Sequence, residues 1–256
     1  LERFPARLTR NPSLDRAPAR TWCFWGTPEP VFAGLITRTW RQLEVRTSAG
    51  STSGALSRNP YHLLEGRTFA SHALDRLHQD PRVTLLRARV TGVTDHGDRV
   101  SVATTRGEVK GAWLFASHPR PRPAPRLLQH FGGWEVEASR PAFDPARVTL
   151  MDFDAPPAAG EPPASDAIPF VYVLPMSPTR ALVESTCISP RPWPRARHDA
   201  RVRAYLEARG VGDAHVLRRE HGVLPMDAAD APEPAPAGSR VVWLGRAGGL
   251  TKASTG

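Results

Sequence analysis

The chain has few cysteines and no long apolar run, and each scarcity excludes a class of protein. Its two cysteines, Cys23 and Cys187, are too far apart to form a CxxC metal or redox pair and are typical of a reducing compartment. No apolar stretch approaches the ~18 residues that a membrane-spanning helix needs. The nine histidines include neither HExxH nor HxH, so we expect no metal site.

Lysine is almost absent, and the positive charge comes from arginine. Lys110 and Lys252 are the only lysines among 34 basic residues, and the formal net charge is +9. Proline (27 residues) and alanine are also abundant, a combination that a GC-rich coding sequence produces without selection for charge. The arginines form no stripe interleaved with aromatic side chains, so we expect no nucleic-acid partner. A basic nucleic-acid-binding module stays open as an alternative.

Residue patterning predicts the regular elements of the first half of the chain. Residues 1–20 show neither a helical nor a strand period and are interpreted as irregular. Apolar residues at helical spacing predict an amphipathic helix over Arg67–Gln79. Short strands with glycine-centred turns between residues 83 and 115, the last of them Val109–Phe115, predict a β-meander. A proline-rich connector follows and separates this half from the next.

The second half begins at residue 127 and combines strands with one helix. Strands Phe170–Leu174 and Ala181–Cys187 are joined by a turn sequence around Pro178. A three-residue turn centred there would set Glu184 opposite Tyr172. A helix is predicted over Ala196–Arg209, with Gly210 suited to the position after its last turn.

Glu184 is the main candidate for chemistry, because it is a carboxylate inside an apolar strand. If it faces the interior, desolvation raises its pKa and leaves it protonated near neutrality, which is the state that a general acid needs. The alternative is a strand with one solvated face, on which Glu184 and Thr186 point to water. The sequence pattern by itself favours that alternative.

Two other pairs of titratable residues are weaker candidates. Glu220 and His221 are adjacent, but neighbours on a strand point to opposite faces, so a strand ending in a Gly/Pro turn is favoured over an acid/base pair. Asp152 and Asp154 share a strand face, and a solvated edge is favoured over paired carboxylates.

A glycine turn follows the strand Val241–Leu244, with Gly245, Gly248 and Gly249 before Thr251. Glycines let a backbone approach phosphate closely, and a following helix N-terminus attracts anions. An ordinary strand-to-loop glycine cluster is favoured on spacing alone. The chain has no GxGxxG in its early part and no Walker motif.

Six phrases in one order resemble the bacterial lycopene cyclase family. They are TWCF (21–24), QHFGGW (129–134), TLMDF (149–153), YVLP followed by ALVEST (172–186), EHGVLPM (220–226) and GRAGGLTKASTG (245–256). One such phrase is a weak signal, whereas six in the family's order over residues 21–256 are specific.

The resemblance implies an α/β fold of mixed α+β character: a glutathione-reductase-like FAD/NAD(P)-binding flavoprotein fold with a β-meander and a mixed-sheet substrate domain. It implies a partial FAD-binding domain at 21–126, a substrate-binding domain at 127–238 and a second FAD-binding segment at 239–256. Residues 1–20 fall outside it as the irregular N-terminal segment. The missing GxGxxG unit and the end at Gly256 lead us to expect an internal fragment, truncated at both ends.

The implied reaction is the cyclisation of linear lycopene ends into β-ionone rings, an isomerisation that needs reduced FAD, with NAD(P)H as the electron source. Glu184 matches the family's glutamate and takes the role of general acid. The implied cofactor-binding residues are Gly245, Gly248, Gly249 and Thr251. The family usually has an acidic residue after the glutamate, and Ser185 here removes a like charge that could tune the pKa of Glu184.

The implied partners are a lycopene-like carotenoid and the cytoplasmic side of the cell membrane, which the protein would meet as a peripheral protein. A related flavin-dependent monooxygenase or oxidoreductase and an inactive fragment remain alternative interpretations.

Overall fold

The computed structural model describes residues 6–10, 20–117, 126–162, 165–226 and 237–249, which form a mixed α/β protein made mostly of strands. The strands are β1 (Ala6–Arg10), β2 (Thr21–Trp25), β3 (Arg38–Trp40), β4 (Gln42–Thr47), β5 (Gly50–Ala55), β6 (Tyr61–Glu65), β7 (Val83–Arg87), β8 (Val90–Asp95), β9 (Val100–Thr104), β10 (Gly107–Gly111), β11 (Leu114–Ala116), β12 (Leu128–Glu137), β13 (Arg147–Asp152), β14 (Ile168–Pro175), β15 (Arg180–Ser189), β16 (His215–Pro225) and β17 (Val241–Trp243). The helices are α1 (Pro30–Ala33), α2 (Gly66–Gln79) and α3 (Arg195–Ala208).

The chain divides into two compact units. One comprises Leu1–Pro18, Arg67–Pro123 and Ala228–Thr255, and the other comprises Ala19–Gly66, Ala124–Asp227 and Gly256. Among the described helices, none has both the length and the apolar character needed to cross a membrane.

The first unit contains the predicted helix, as α2, and the predicted meander. Strands β8, β9 and β10 form a three-stranded antiparallel sheet in the order β10-β9-β8. Its two turns contain Gly97 and Gly107, whose φ angles of 83° and 104° explain why glycine occupies both positions. The meander prediction is confirmed.

The outer parts of the predicted meander pair differently from expectation. β7 pairs in parallel with β1, so a strand occurs at Ala6–Arg10 within the segment interpreted as irregular. The predicted strand Val109–Phe115 is wrong, because it is two strands: β10 stays in the meander and β11 pairs in parallel with β17. Both parallel partners are distant in sequence, and such pairing leaves no local signal of the kind that a hairpin leaves.

The second unit is built on a seven-stranded mixed sheet in the order β16-β12-β15-β14-β13-β4-β5. All neighbouring strands in it are antiparallel except β13 and β4, which are parallel. The predicted second helix is confirmed as α3, and Gly210 follows it with a φ of 69°. Helix α3 packs on one face of the sheet through a core that includes Trp134, Val136, Val183, Val202, Tyr205 and Leu206.

The opposite face of the same sheet carries a second core. Strands β2, β6 and β3 form a small antiparallel sheet that contributes Trp40, Tyr61 and Leu63. These side chains pack against Leu174 of β14 and Leu182 of β15. Successive residues of a strand point to opposite faces, so neighbours on β12 and β15 lie in different environments.

Candidate active site

Four residues form a row across four adjacent strands of the second unit. Tyr172 on β14 pairs directly with Glu184 on β15, Glu184 pairs with Gly133 on β12, and Gly133 pairs with Glu220 on β16. Directly paired residues have side chains on the same face of a sheet. The predicted pairing of Tyr172 with Glu184 is confirmed, and the row adds Glu220, which the sequence did not link to Glu184.

This row lines a cavity of about 380 Å³. Its walls are largely apolar and aromatic, and they include Trp22, Tyr61, Phe131, Leu174, Leu182 and Leu224. Glu184 is half-buried because its side chain faces this cavity, and Thr186, on the same face of β15, is buried. The alternative interpretation, in which Glu184 and Thr186 lie on a face open to bulk water, is therefore not what the structure shows.

The surroundings of Glu184 favour its protonated form. Burial, and secondly the negative charge of Glu220, raise the pKa of Glu184 to about 8. One hydrogen bond opposes them: the Thr186 hydroxyl donates to Glu184 Oε1 at 3.0 Å. Glu184 thus carries a proton at neutral pH, as a general acid requires.

Glu220 has different surroundings, rich in donors. Its Oε2 accepts hydrogen bonds from the Thr21 amide and the Thr21 hydroxyl, both at 3.1 Å, and from Arg218 Nη1 at 2.8 Å. Burial holds the pKa of Glu220 above its ordinary value, although Arg218 and Thr21 lower it in part. Arg218 Nε also donates to Glu135 at 2.9 Å, and Glu135 in turn binds Arg180.

Three further titratable side chains line or border the cavity and are neutral. Burial raises the pKa of Cys23 to about 12, against a hydrogen bond with Tyr61. Burial also raises the pKa of Tyr61 and of Tyr172 above the ordinary tyrosine range. Glu184 is therefore the most acidic neutral donor among these groups.

Ser185 lies on the opposite face of the sheet from the Glu184 carboxyl. It is fully buried, and its hydroxyl lies 3.1 Å from His198 Nδ1. His198 Nε2 is 2.9 Å from His130 Nδ1, and His130 Nε2 is 2.8 Å from the Ser189 hydroxyl. A residue at position 185 faces α3 and does not line the cavity beside Glu184. On the cavity side, Glu220 supplies a like charge.

Gly132 and Gly133 are adjacent on β12, and each leaves room for a neighbour on a different face of the sheet. A Cβ built on Gly132 comes within 2.7 Å of His198 Cβ, so this glycine lets α3 approach the sheet. A Cβ built on Gly133 lies 3.3 Å from the Cβ, Cγ and Oε2 atoms of Glu184, so this glycine leaves open the space beside the carboxyl.

The two other pairs of titratable residues that the sequence analysis considered do not form a second site. Glu220 faces the cavity and its neighbour His221 is exposed, as strand alternation predicts. Asp152 is buried and accepts a hydrogen bond from the Tyr205 hydroxyl at 3.0 Å, whereas Asp154 is exposed. The interpretation of both as a solvated edge is therefore wrong for Asp152.

The predicted glycine turn follows β17 in the first unit. Gly245 and Gly249 have φ angles of 56° and 71°, and a Cβ built on Gly248 would lie 2.1 Å from the Trp243 carbonyl oxygen. A Cβ built on Gly245 meets nothing within 4 Å, so its backbone is open to a ligand. These features suit the close approach of a phosphate group. Thr251 lies outside the described residues.

Solved structures of other proteins share this fold. A geranylgeranyl bacteriochlorophyll reductase-like protein from Thermoplasma acidophilum is 11% identical with a TM-score of 0.60, over 88% of this chain and 61% of that one. The p-nitrophenol 4-monooxygenase of Pseudomonas putida DLL-E4 is 12% identical with a TM-score of 0.53, over 94% and 66%. CtdE, solved with FAD and a substrate, is 11% identical with a TM-score of 0.50, over 81% and 57%.

The chain thus has the mixed-sheet fold of reductase- and monooxygenase-type flavoproteins, and it spans less than two thirds of the length of each of these structures. Within that class, residues 7–256 match the family described as lycopene cyclase protein, and the chain belongs to this family.

Proposed function

We propose that this protein is a lycopene β-cyclase-like isomerase, which forms β-ionone end rings on a linear carotene. The observation that carries the proposal is Glu184, a carboxyl that keeps its proton at neutral pH in a largely apolar cavity. Membership of the lycopene cyclase protein family supports the choice of substrate class.

The chemistry accounts for the residue types. An isolated alkene is a poor base, so the acid that protonates it must be neutral and desolvated. The O–H bond of Glu184 breaks as a C–H bond forms on the terminal alkene, which becomes a carbocation. The electron pair of the next double bond closes the ring, and loss of a ring proton to a carboxylate restores the acid and forms the ring double bond. Atoms and electrons balance without net redox change.

The apolar walls protect the carbocation during this sequence. Water would trap it as an alcohol, so the cavity must exclude water. The side chains of Phe131, Leu174 and Leu182 supply such walls, and the neutral rings of Tyr61 and Tyr172 offer π-faces to a cation.

The flavin belongs to the same proposal. Gly245, Gly248, Gly249 and Thr251 would hold FAD, and the open backbone of Gly245, together with the positive φ angles of Gly245 and Gly249, supports this for the turn. When bound in its reduced form, with NAD(P)H as the electron source, FAD supplies negative charge that stabilises a cation.

The location of the protein is also part of the proposal. A carotene dissolves in lipid, so the protein would meet it as a peripheral protein on the cytoplasmic side of the cell membrane. A formal net charge of +9 favours attraction to anionic lipid.

Pigment conversion tests the function. The full-length gene is expressed in lycopene-accumulating cells as wild type, Glu184→Gln and Glu108→Gln; Glu108 is an exposed carboxylate of β10 and serves as the control. We expect cyclic carotenes from the wild type and the control, and at least about a hundredfold loss in Glu184→Gln, because the variant has no acidic proton to donate. Undiminished conversion in Glu184→Gln would remove Glu184 from its role.

A flavin monooxygenase is the second candidate, because the fold is shared with p-nitrophenol 4-monooxygenase. It predicts consumption of NAD(P)H coupled to oxygen, whereas the cyclase predicts an isomeric product without stoichiometric oxidation. A wild-type protein that neither converts pigment nor couples NAD(P)H to oxygen would favour an inactive protein.

A further inference from the structure

Glu184 and Glu220 face one cavity from either side of Gly133. Because β12 lies between β15 and β16, their Cα atoms are separated by two strand spacings, roughly 9.5 Å. Gly133 places no side chain between them, so the carboxyls can approach each other more closely than their backbones do. Charge on one therefore acts on the other across a region of low polarity.

The two carboxyls differ in what stabilises a negative charge. Glu220 accepts three hydrogen bonds on one oxygen, one of them from the Arg218 guanidinium. Glu184 accepts one from the neutral Thr186 hydroxyl, and within the part of the chain that the structure describes no arginine or lysine forms an ion pair with it. Two nearby carboxyls hold one charge far more readily than two, so the charge resides on Glu220 and the proton on Glu184.

We propose that Glu220 is a positioning residue for the acid: fixed as a carboxylate by Arg218 and Thr21, it holds the proton on Glu184. Its importance for the reaction rests on the proposed function, whereas the coupling of the two carboxyls does not. Glu220 thereby provides a like charge on the cavity side from β16, two strands away from β15, whereas position 185 faces α3.

The other titratable groups that face Glu184 do not compete for this role. Cys23 reaches the cavity from β2, Tyr61 from β6 and Tyr172 from β14. Burial keeps all three neutral over the range in which Glu184 titrates, the Cys23 thiol with a pKa of about 12. Removing any of them therefore removes no charge.

Infrared titration of the carboxyl C=O band in the full-length protein tests the proposal without cofactor or substrate. We expect the wild type to lose one buried protonated-carboxyl band near pH 8, and Glu184→Gln to lack that band, which assigns it. In Glu220→Gln the midpoint should fall by about one pH unit, because the like charge is gone. Glu220→Asp keeps the charge and should restore a midpoint close to that of the wild type.

The matched control is Glu135→Gln, which removes a second carboxylate that accepts a hydrogen bond from Arg218. Its midpoint should stay at the wild-type value, because Glu135 is no source of the Glu184 shift. An unchanged midpoint in Glu220→Gln, or an equal fall in Glu135→Gln, would overturn the proposal. A further readout needs no change at position 220: two protonated buried carboxyls in the wild type at pH 7 would also overturn it.

The enzyme assay separates this proposal from the proposed function. Conversion by Glu220→Gln should decline at a lower pH than conversion by the wild type, following the titration. A wild-type protein that shows the titration without converting carotene counts against the function alone. If the protein converts carotene but the midpoint of the Glu184 titration is the same in the wild type and in Glu220→Gln, the result counts against the role of Glu220 alone.

Discussion

Gly132 lies in van der Waals contact with His198, so that a Cβ built on this glycine would come within 2.7 Å of His198 Cβ. Its neighbour Gly133 faces the cavity, where a built Cβ would lie 3.3 Å from three atoms of the Glu184 side chain. Both contacts include a Cβ atom fixed to a backbone, but the first is 2.7 Å long and forces a shift, whereas at 3.3 Å the second requires a movement of only a few tenths of an ångström. Two adjacent glycines thus tolerate a methyl group differently.

The first prediction concerns Gly132→Ala, which should lower the free energy of unfolding by about 1–3 kcal/mol, because α3 must shift to admit the methyl group. Gly133→Ala should cost less, because its contacts with Glu184 are 3.3 Å long and a small movement relieves them. Urea unfolding followed by circular dichroism measures both, with the change read from the midpoint at a constant m-value. Equal destabilisation by the two variants would contradict this account of the glycine pair.

The second prediction concerns stability at neutral to alkaline pH. The pKa of Glu184 is about 8 in the folded protein and about 4.3 in an unfolded chain, so between these values the folded state binds one more proton. Stability from this group is present at low pH and is lost as the pH rises towards 8, by at most about 1.4 kcal/mol per pH unit. Glu184→Gln should abolish this slope between about pH 6.5 and 8, where ordinary carboxyls are already ionised.

Urea unfolding at several pH values measures that slope, and Glu108→Gln is the control, because Glu108 is exposed and its pKa lies below the ordinary value. A slope that persists in Glu184→Gln would show that another group is responsible.

The third prediction concerns acid and the opposite face of the sheet. Burial lowers the pKa of His130 and of His198 to about 4, helped by the charge of Arg197 for the first and by the neighbouring imidazole for the second. Between about pH 6.5 and 4 the unfolded chain binds more protons, so this contribution to stability is complete above pH 6.5 and is lost as the pH falls. Each imidazole contributes at most about 1.4 kcal/mol per pH unit.

His198→Gln should reduce the dependence of stability on pH between about pH 5 and 6.5, whatever its effect at pH 7, because one of the two buried imidazoles is gone. The measurement is urea unfolding across that range, above the pKa of ordinary carboxyls. An undiminished slope in the variant would assign the acid sensitivity to other groups.

Local patterns account for what the sequence could predict. Helices α2 and α3 follow from apolar spacing, and the meander follows from turns at Gly97 and Gly107. The pairing of Tyr172 with Glu184 follows from the short turn around Pro178, because a hairpin turn fixes the register of the two strands that it joins.

The features that the sequence could not predict depend on pairing between strands that are distant in the chain. Glu220 reaches Glu184 only because β12 lies between β15 and β16, and nothing local in EHGVLPM indicates which strand is its neighbour. The face of Ser185, by contrast, follows from a local rule. The period of a strand places consecutive residues on opposite faces, so position 185 lies on the side of the sheet away from the Glu184 carboxyl.

The fourth prediction concerns the glycine turn and flavin. A methyl group on Gly248 would overlap the Trp243 carbonyl oxygen, since the built Cβ lies 2.1 Å from it, and that backbone belongs to β17, paired with β11. Gly248→Ala should therefore rearrange the turn and, if the turn holds FAD, reduce the flavin retained by the purified full-length protein. Flavin absorbance per mole of protein measures this.

Gly97→Ala is the matched control. The φ of 83° at Gly97 disfavours alanine, but a Cβ built there meets nothing within 4 Å, and the residue lies in the meander. We therefore expect a small loss of stability and an unchanged flavin content. Full retention of flavin by Gly248→Ala would remove the turn from the cofactor site, because a backbone forced apart at that carbonyl cannot keep the same glycine cradle.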